Sequence, residues 1–145
     1  MIEHTVQVRV RYSETDQMAY VYYGNYASYF EVARVEAFRY IGFSYKEMED
    51  AGIMMPVLEM KTKYIKPAKY DDLLSIKVII RNKPGVRILF EYEVYNAANV
   101  LLTVAETTLV FVSSATGRPT LPPQQFMSYF EKYYSNDSKG KEEDK

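Results

Sequence analysis

The stretch RYSETDQMAYVYYGNYASYFE, Arg11 to Glu31, decides how the rest of the chain is read, because a strand ends in it and a long helix starts in it. Upstream, Val6, Val8, Val10 and Tyr12 alternate with Gln7, Arg9 and Arg11, which predicts a half-buried strand from about Thr5 to Tyr12. A loop from Ser13 to Tyr23 comes next. Tyr26, Phe30, Ala33, Ala37 and Ile41 then recur at helical spacing, predicting a helix from near Asn25 to about Tyr40, with Gly42 as its C-terminal cap.

Ser44-Tyr-Lys-Glu47 reads as a capping box opening a second, short helix that ends at Ala51-Gly52. Most of the chain beyond Gly52 alternates as strands do: Leu58, Met60, Thr62, Tyr64; then Leu74, Ile76, Val78, Ile80; then Ile88, Phe90, Tyr92, Val94. Asn82-Lys-Pro-Gly85 and Asn96-Ala-Ala-Asn99 suit hairpin turns. Val100 to Val112 reads as one long last strand. Arg118-Pro-Thr-Leu-Pro-Pro breaks regular structure, and Gln124 to Tyr134 suits a terminal helix. The helix is apolar around much of its circumference, so the class is α+β: an antiparallel sheet of about five strands wrapped around one long central helix. Residues 1–135 form a single domain, and 136–145 read as a charged, disordered tail.

The composition narrows the chemistry. The 145 residues carry a net charge of −1, which gives no general attraction to nucleic acid. No apolar run approaches the ~18 residues of a membrane helix, and Met1 to Val10 lacks the form of a signal peptide. A cytoplasmic protein without membrane insertion is expected. With no cysteine, disulfides, thiolate metal sites and a cysteine nucleophile are excluded. The single histidine, His4, lies on the first strand, and no G-x-S-x-G, P-loop, dinucleotide or H-E-x-x-H pattern occurs. No metal or cofactor is expected. The 15 tyrosines among an aromatic content of 15% suit half-wet surfaces such as a subunit interface, and equally a Tyr-rich monomer core.

Carboxylates, hydroxyls, backbone amides and basic groups remain. Asp16 stands where a folded-back loop brings a carboxylate near the start of the helix, whose first N–H groups lack partners. A thioester needs little more. Its thiolate leaves without a general acid, the thiol pKa being about 8.5. Asp16 can act as nucleophile or as general base on water. The amides of Tyr23 and Gly24 can hold the oxyanion. Alternatively, Asp16 only closes an Asx-turn. Glu31 can face the acyl group or pair with Arg34 or Arg39. Glu14 is read as solvated. Lys83, Arg87 and Arg118, in or beside loops, can meet phosphates or serve as solubilising charge.

The segment resembles the 4-hydroxybenzoyl-CoA thioesterase family of hotdog-fold enzymes. The matching residues are Asp16, Val21-Tyr22-Tyr23, Asn25-Tyr26 and Phe30-Glu31-Val-Ala-Arg34, then Tyr64 to Asp72, and Arg118-Pro119 with Leu121-Pro122. Ala19 stands where many members have Gly, and Tyr23 where many have His. The resemblance implies a hotdog fold and an acyl-CoA thioesterase, with coenzyme A as part of the substrate. It makes Asp16 the catalytic carboxylate and Tyr23 the oxyanion donor; Gly24, Asn25 and Glu31 are further substrate-binding candidates. It also implies a homodimer or homotetramer with sites at the subunit interface. The alternatives are a thioesterase acting on acyl carrier protein and a non-catalytic acyl-thioester-binding protein. A dehydratase of the same fold would need a histidine in the site, and His4 is poorly placed for one.

Overall fold

The computed structural model describes residues 1–134; the tail expected at 136–145 lies outside the described residues. Seven strands and three helices succeed one another: β1 (Ile2–Arg9), α1 (Tyr26–Ile41), α2 (Tyr45–Asp50), β2 (Ile53–Met54), β3 (Val57–Tyr64), β4 (Leu73–Ile80), β5 (Arg87–Tyr95), β6 (Leu101–Val110), β7 (Val112–Ser113) and α3 (Gln124–Tyr134). The antiparallel main sheet has the order β1-β4-β5-β6-β3, and β2 pairs with β7 apart from it. Among the described residues no helix is long and apolar enough to cross a membrane.

The long helix forms where its periodicity places it and ends as expected. Gly42 takes a φ of 124°, and the amides of Gly42 and Phe43 both reach the Phe38 carbonyl. A side chain at Gly42 would also press within 2.9 Å of the Tyr129 ring. Ser44 caps α2 by accepting from the Glu47 amide. The apolar face of α1 meets the middle of the sheet: Phe30 stacks on Tyr92, and Phe38 packs against Phe90, Phe43 and Phe130. Leu74, Ile76, Val78 and Ile80 on β4 and Ile88, Phe90, Tyr92 and Val94 on β5 are all buried. Their alternation is that of strands with one face on a core. Phe126 and Phe130 of α3 close the end of this core.

Two expectations shift, and one feature of the topology lies beyond them. The first strand ends at Arg9, and Tyr12 begins a single 3-10 turn with its ring 79% exposed rather than facing the core. The last strand is broken at Phe111, after which Val112 and Ser113 pair with β2. Finally, β3 lies across the sheet from β4, next to β6 at the far edge. The chain therefore crosses the sheet end between Tyr64 and Leu73, and that crossing segment packs on the Asp16 loop through bonds from Val21 N to Ala68 O (2.8 Å) and Tyr70 N to Ala19 O (3.2 Å).

Candidate active site

Asp16 stands in a narrow turn. Its amide donates to the Tyr20 carbonyl at 2.8 Å, and the Ala19 amide donates to the Asp16 carbonyl at 3.0 Å. Carboxylate oxygen Oδ1 accepts from the Met18 amide at 2.8 Å and the Tyr20 amide at 3.3 Å. The Asx-turn that the sequence allows is therefore present, and it holds the carboxylate in one orientation. Oδ2 has no hydrogen-bond partner among the described residues. The turn also requires a φ of 62° at Ala19, a left-handed conformation that costs an L-residue about 1–2 kcal/mol.

This loop is stitched to the start of the helix. The Glu14 carbonyl accepts from the Tyr22 amide (2.9 Å) and from Asn25 Nδ2 (2.8 Å). Asn25 thus ties the loop down through its side chain. Tyr23–Asn25 form a 3-10 turn that runs into α1. The Asn25 amide returns to the Tyr22 carbonyl. The amides of Tyr23 and Gly24 have no hydrogen-bond partner among the described residues, as expected of leading N–H groups in a helix. Next to them opens a cavity of about 370 Å³ whose lining includes Asp16, Tyr23, Tyr26, Tyr64, Ile65 and Lys66. Burial raises the Tyr26 hydroxyl above its ordinary pKa. Among the described residues no group of three or more His, Asp or Glu side chains is placed to hold a metal ion.

The remaining candidates are dispersed. Glu31 is exposed on α1 and is not part of the cavity lining. The ion pairs expected as its alternative do not form either: Arg34 turns inward to Tyr92 Oη at 3.0 Å, and Arg39 pairs with Glu36. Lys83 pairs with Glu131 at 3.2 Å. Arg87 begins β5, opposite Val110, and Arg118 is exposed in the loop after β7. Within one chain, Arg87 is separated from the Asp16 end of the sheet by the length of β5, about 25 Å. Glu14 is half-buried and bonded rather than solvated. Tyr64 and Lys66 enter the lining through the crossing segment. A signal for them exists in the stretch Tyr64 to Asp72, which the family resemblance covers without giving it a site role.

A second groove, about 440 Å³, lies on the outer face of the sheet between Lys61, Lys63, Arg81, Glu91, Glu93 and Glu106. Its lining carries charges of both signs, whereas the cavity beside Asp16 is lined largely by apolar and aromatic side chains.

The model of the thioesterase-like superfamily matches residues 10–130. The chain belongs to that superfamily. It is 32% identical over 123 residues to the acyl-CoA thioester hydrolase YbgC of Escherichia coli, covering 85% of this chain and 92% of that one. The structure of DHNA-CoA thioesterase from Staphylococcus aureus superimposes with a TM-score of 0.87 at 32% identity, covering 98% of this chain and 95% of the other. A 4-hydroxybenzoyl CoA thioesterase complexed with 4-hydroxybenzoyl CoA superimposes at 0.79 with 20% identity, over 89% of this chain and 99% of that one, a likeness of hotdog fold alone.

Proposed function

We propose that this protein is an acyl-CoA thioesterase in which Asp16 acts on the thioester carbonyl while the amides of Tyr23 and Gly24 receive its oxygen. One observation carries this reading. A cavity lined largely by apolar and aromatic side chains contains a turn-held carboxylate with one free oxygen, beside a helix start whose leading amides are unpaired. Oδ2 either adds to the carbonyl, giving a mixed anhydride that water opens, or takes a proton from the attacking water. In both routes negative charge moves onto the carbonyl oxygen, where fixed amides stabilise the transition state more than the ground state. The thiolate then departs unassisted.

The active unit is a homo-oligomer built on the β3 edge. That strand leaves Met60 and Tyr64 exposed on the face that elsewhere is covered by the helix. A two-fold axis through this edge makes the pairing antiparallel. The Arg87 end of one copy then approaches the Asp16 end of the other, where Arg87 and Arg118 can meet the phosphates of coenzyme A.

The test is thiol release from aromatic and aliphatic acyl-CoAs by wild type and Asp16→Asn. Because the chain has no cysteine, a thiol reagent sees only product. Turnover should fall at least about a hundredfold in the variant, with the circular dichroism unchanged. Full activity in the variant would remove Asp16 from the chemistry. No release by wild type from any acyl-CoA would move the substrate to acyl carrier protein.

A further inference from the structure

Two residues before Asp16, the Glu14 side chain accepts two hydrogen bonds, one of them from the long helix. Its carboxylate oxygen Oε1 accepts from the Arg11 amide at 2.8 Å and from the Tyr29 hydroxyl at 3.0 Å. Oε2 lies 3.6 Å from the Arg11 guanidinium. Tyr29 is buried on α1. Burial and then this bond hold its phenol well above the ordinary range, so it remains a donor. The Glu14 side chain is thus fastened to the 3-10 turn at Arg11 and to the first full turn of the helix at Tyr29. Its own carbonyl, fixed by those two anchors, holds the Tyr22 amide and Asn25 Nδ2.

These last two partners bracket the unpaired amides of Tyr23 and Gly24. Whatever fixes residues 22 and 25 fixes the direction in which those amides point. Oxyanion stabilisation depends steeply on that direction, since a donor about 1 Å out of place loses on the order of a hundredfold. Asp16 does not supply this clamp, because its Oδ1 is engaged with Met18 and Tyr20 on the other side of the turn. We infer that Glu14 is a positioning residue that, through Tyr29, Tyr22 and Asn25, holds the Tyr23 and Gly24 amides on the thioester oxygen. This rests on the thioesterase reading for its kinetic consequence, while its structural content stands without it.

Glu14→Ala, Glu14→Gln and Tyr29→Phe separate the two. With an acyl-CoA that wild type hydrolyses, Glu14→Ala should lower kcat by about tenfold to a hundredfold. Its Kd for a non-hydrolysable thioether analogue of that acyl-CoA should stay within about twofold, because the amides act mainly on the developing oxyanion. Glu14→Gln keeps the accepting oxygen and should stay within about threefold of wild type. Tyr29→Phe, which removes one donor only, should lower kcat by about threefold to tenfold and serves if Glu14→Ala does not fold. An unchanged kcat in Tyr29→Phe, or a loss that appears equally in the Kd of the analogue, would overturn the assignment. Independently of turnover, the ¹H–¹⁵N resonances of Tyr23 and Gly24 should move and exchange faster in Glu14→Ala and Tyr29→Phe, and remain in place in Glu14→Gln. Unmoved amide resonances would overturn the clamp. Silence of wild type towards every acyl-CoA, with those resonances shifted, would count against the thioesterase reading alone.

Discussion

The sheet has two edges of equal length, and they differ in what they bury. β1 and β3 are eight residues each, and each pairs antiparallel with one neighbour. β1 buries Ile2 and packs Val6 and Val8 against the core. On β3 only Thr62 is even half-buried, while Met60 and Tyr64 remain 43% and 48% exposed. The cause is where α1 lies: its backbone runs beside β1 and β4, its aromatic side chains reach β5, and the opposite edge is left largely uncovered. The same alternating pattern is satisfied from within the chain at one edge and left unsatisfied at the other. An exposed apolar edge strand is a template for another chain, and the proposed second copy uses it.

The most severe way to break this contrast is a charge on each edge in turn. At a closed β3 interface, Met60→Arg places an unpaired cation that costs about 3–5 kcal/mol, or about two to four decades of association. Sedimentation should then show a monomer where wild type shows an oligomer, with thiol release falling in parallel and the fold retained. Val6→Arg on β1 should instead lower the urea midpoint without acting on assembly. A Met60→Arg protein that remains oligomeric would take β3 out of the interface.

The covered half should also be sensitive to alkali. Burial pushes the Tyr45 hydroxyl up to about 12 and raises that of Tyr92 as well, with the adjacent Arg34 guanidinium opposing both shifts. Folded values above the unfolded value near 10 mean that the unfolded chain loses these protons first. Their contribution is complete below about pH 10 and is lost as pH rises towards the folded values. Urea midpoints measured from pH 8 to 11 should fall above about pH 10, and the fall should be shallower in Tyr45→Phe. The smallest expected effect lies between the two edges, at the site. Ala19→Gly relieves the left-handed strain but enlarges the unfolded ensemble, for a net gain of about 0.5–1 kcal/mol. A loss of stability in that variant would mean that the Ala19 methyl makes a contact worth more than its strain.

How much of the fold is legible in the chain depends on distance along it. The bounds of α1, the Ser44 cap and the range of α3 come from local spacing and capping, and so can be read directly. The position of β3 cannot, because a strand's alternation does not say whether a helix will cover it. The break at Phe111 is also hidden, since Val100 to Val112 is largely apolar and β-branched and only the pairing with β2 interrupts it. At the site, Asp16, Tyr23 and Gly24 stand out because a loop aspartate precedes a helix start. Glu14 does not, because its bonds to Tyr29 and Asn25 exist only after the loop folds back. The basic residues stand out only by their loops, and loops at both ends of a sheet look alike in sequence.

The turn around Asp16 has one more consequence. A free carboxylate is a symmetric reagent whose oxygens exchange roles by rotation about the Cβ–Cγ bond. Here one oxygen is occupied by the Met18 and Tyr20 amides, and rotation would break both contacts at once. The symmetry is therefore lost before any ligand arrives: one oxygen keeps the backbone in shape and the other is left without a partner among the described residues.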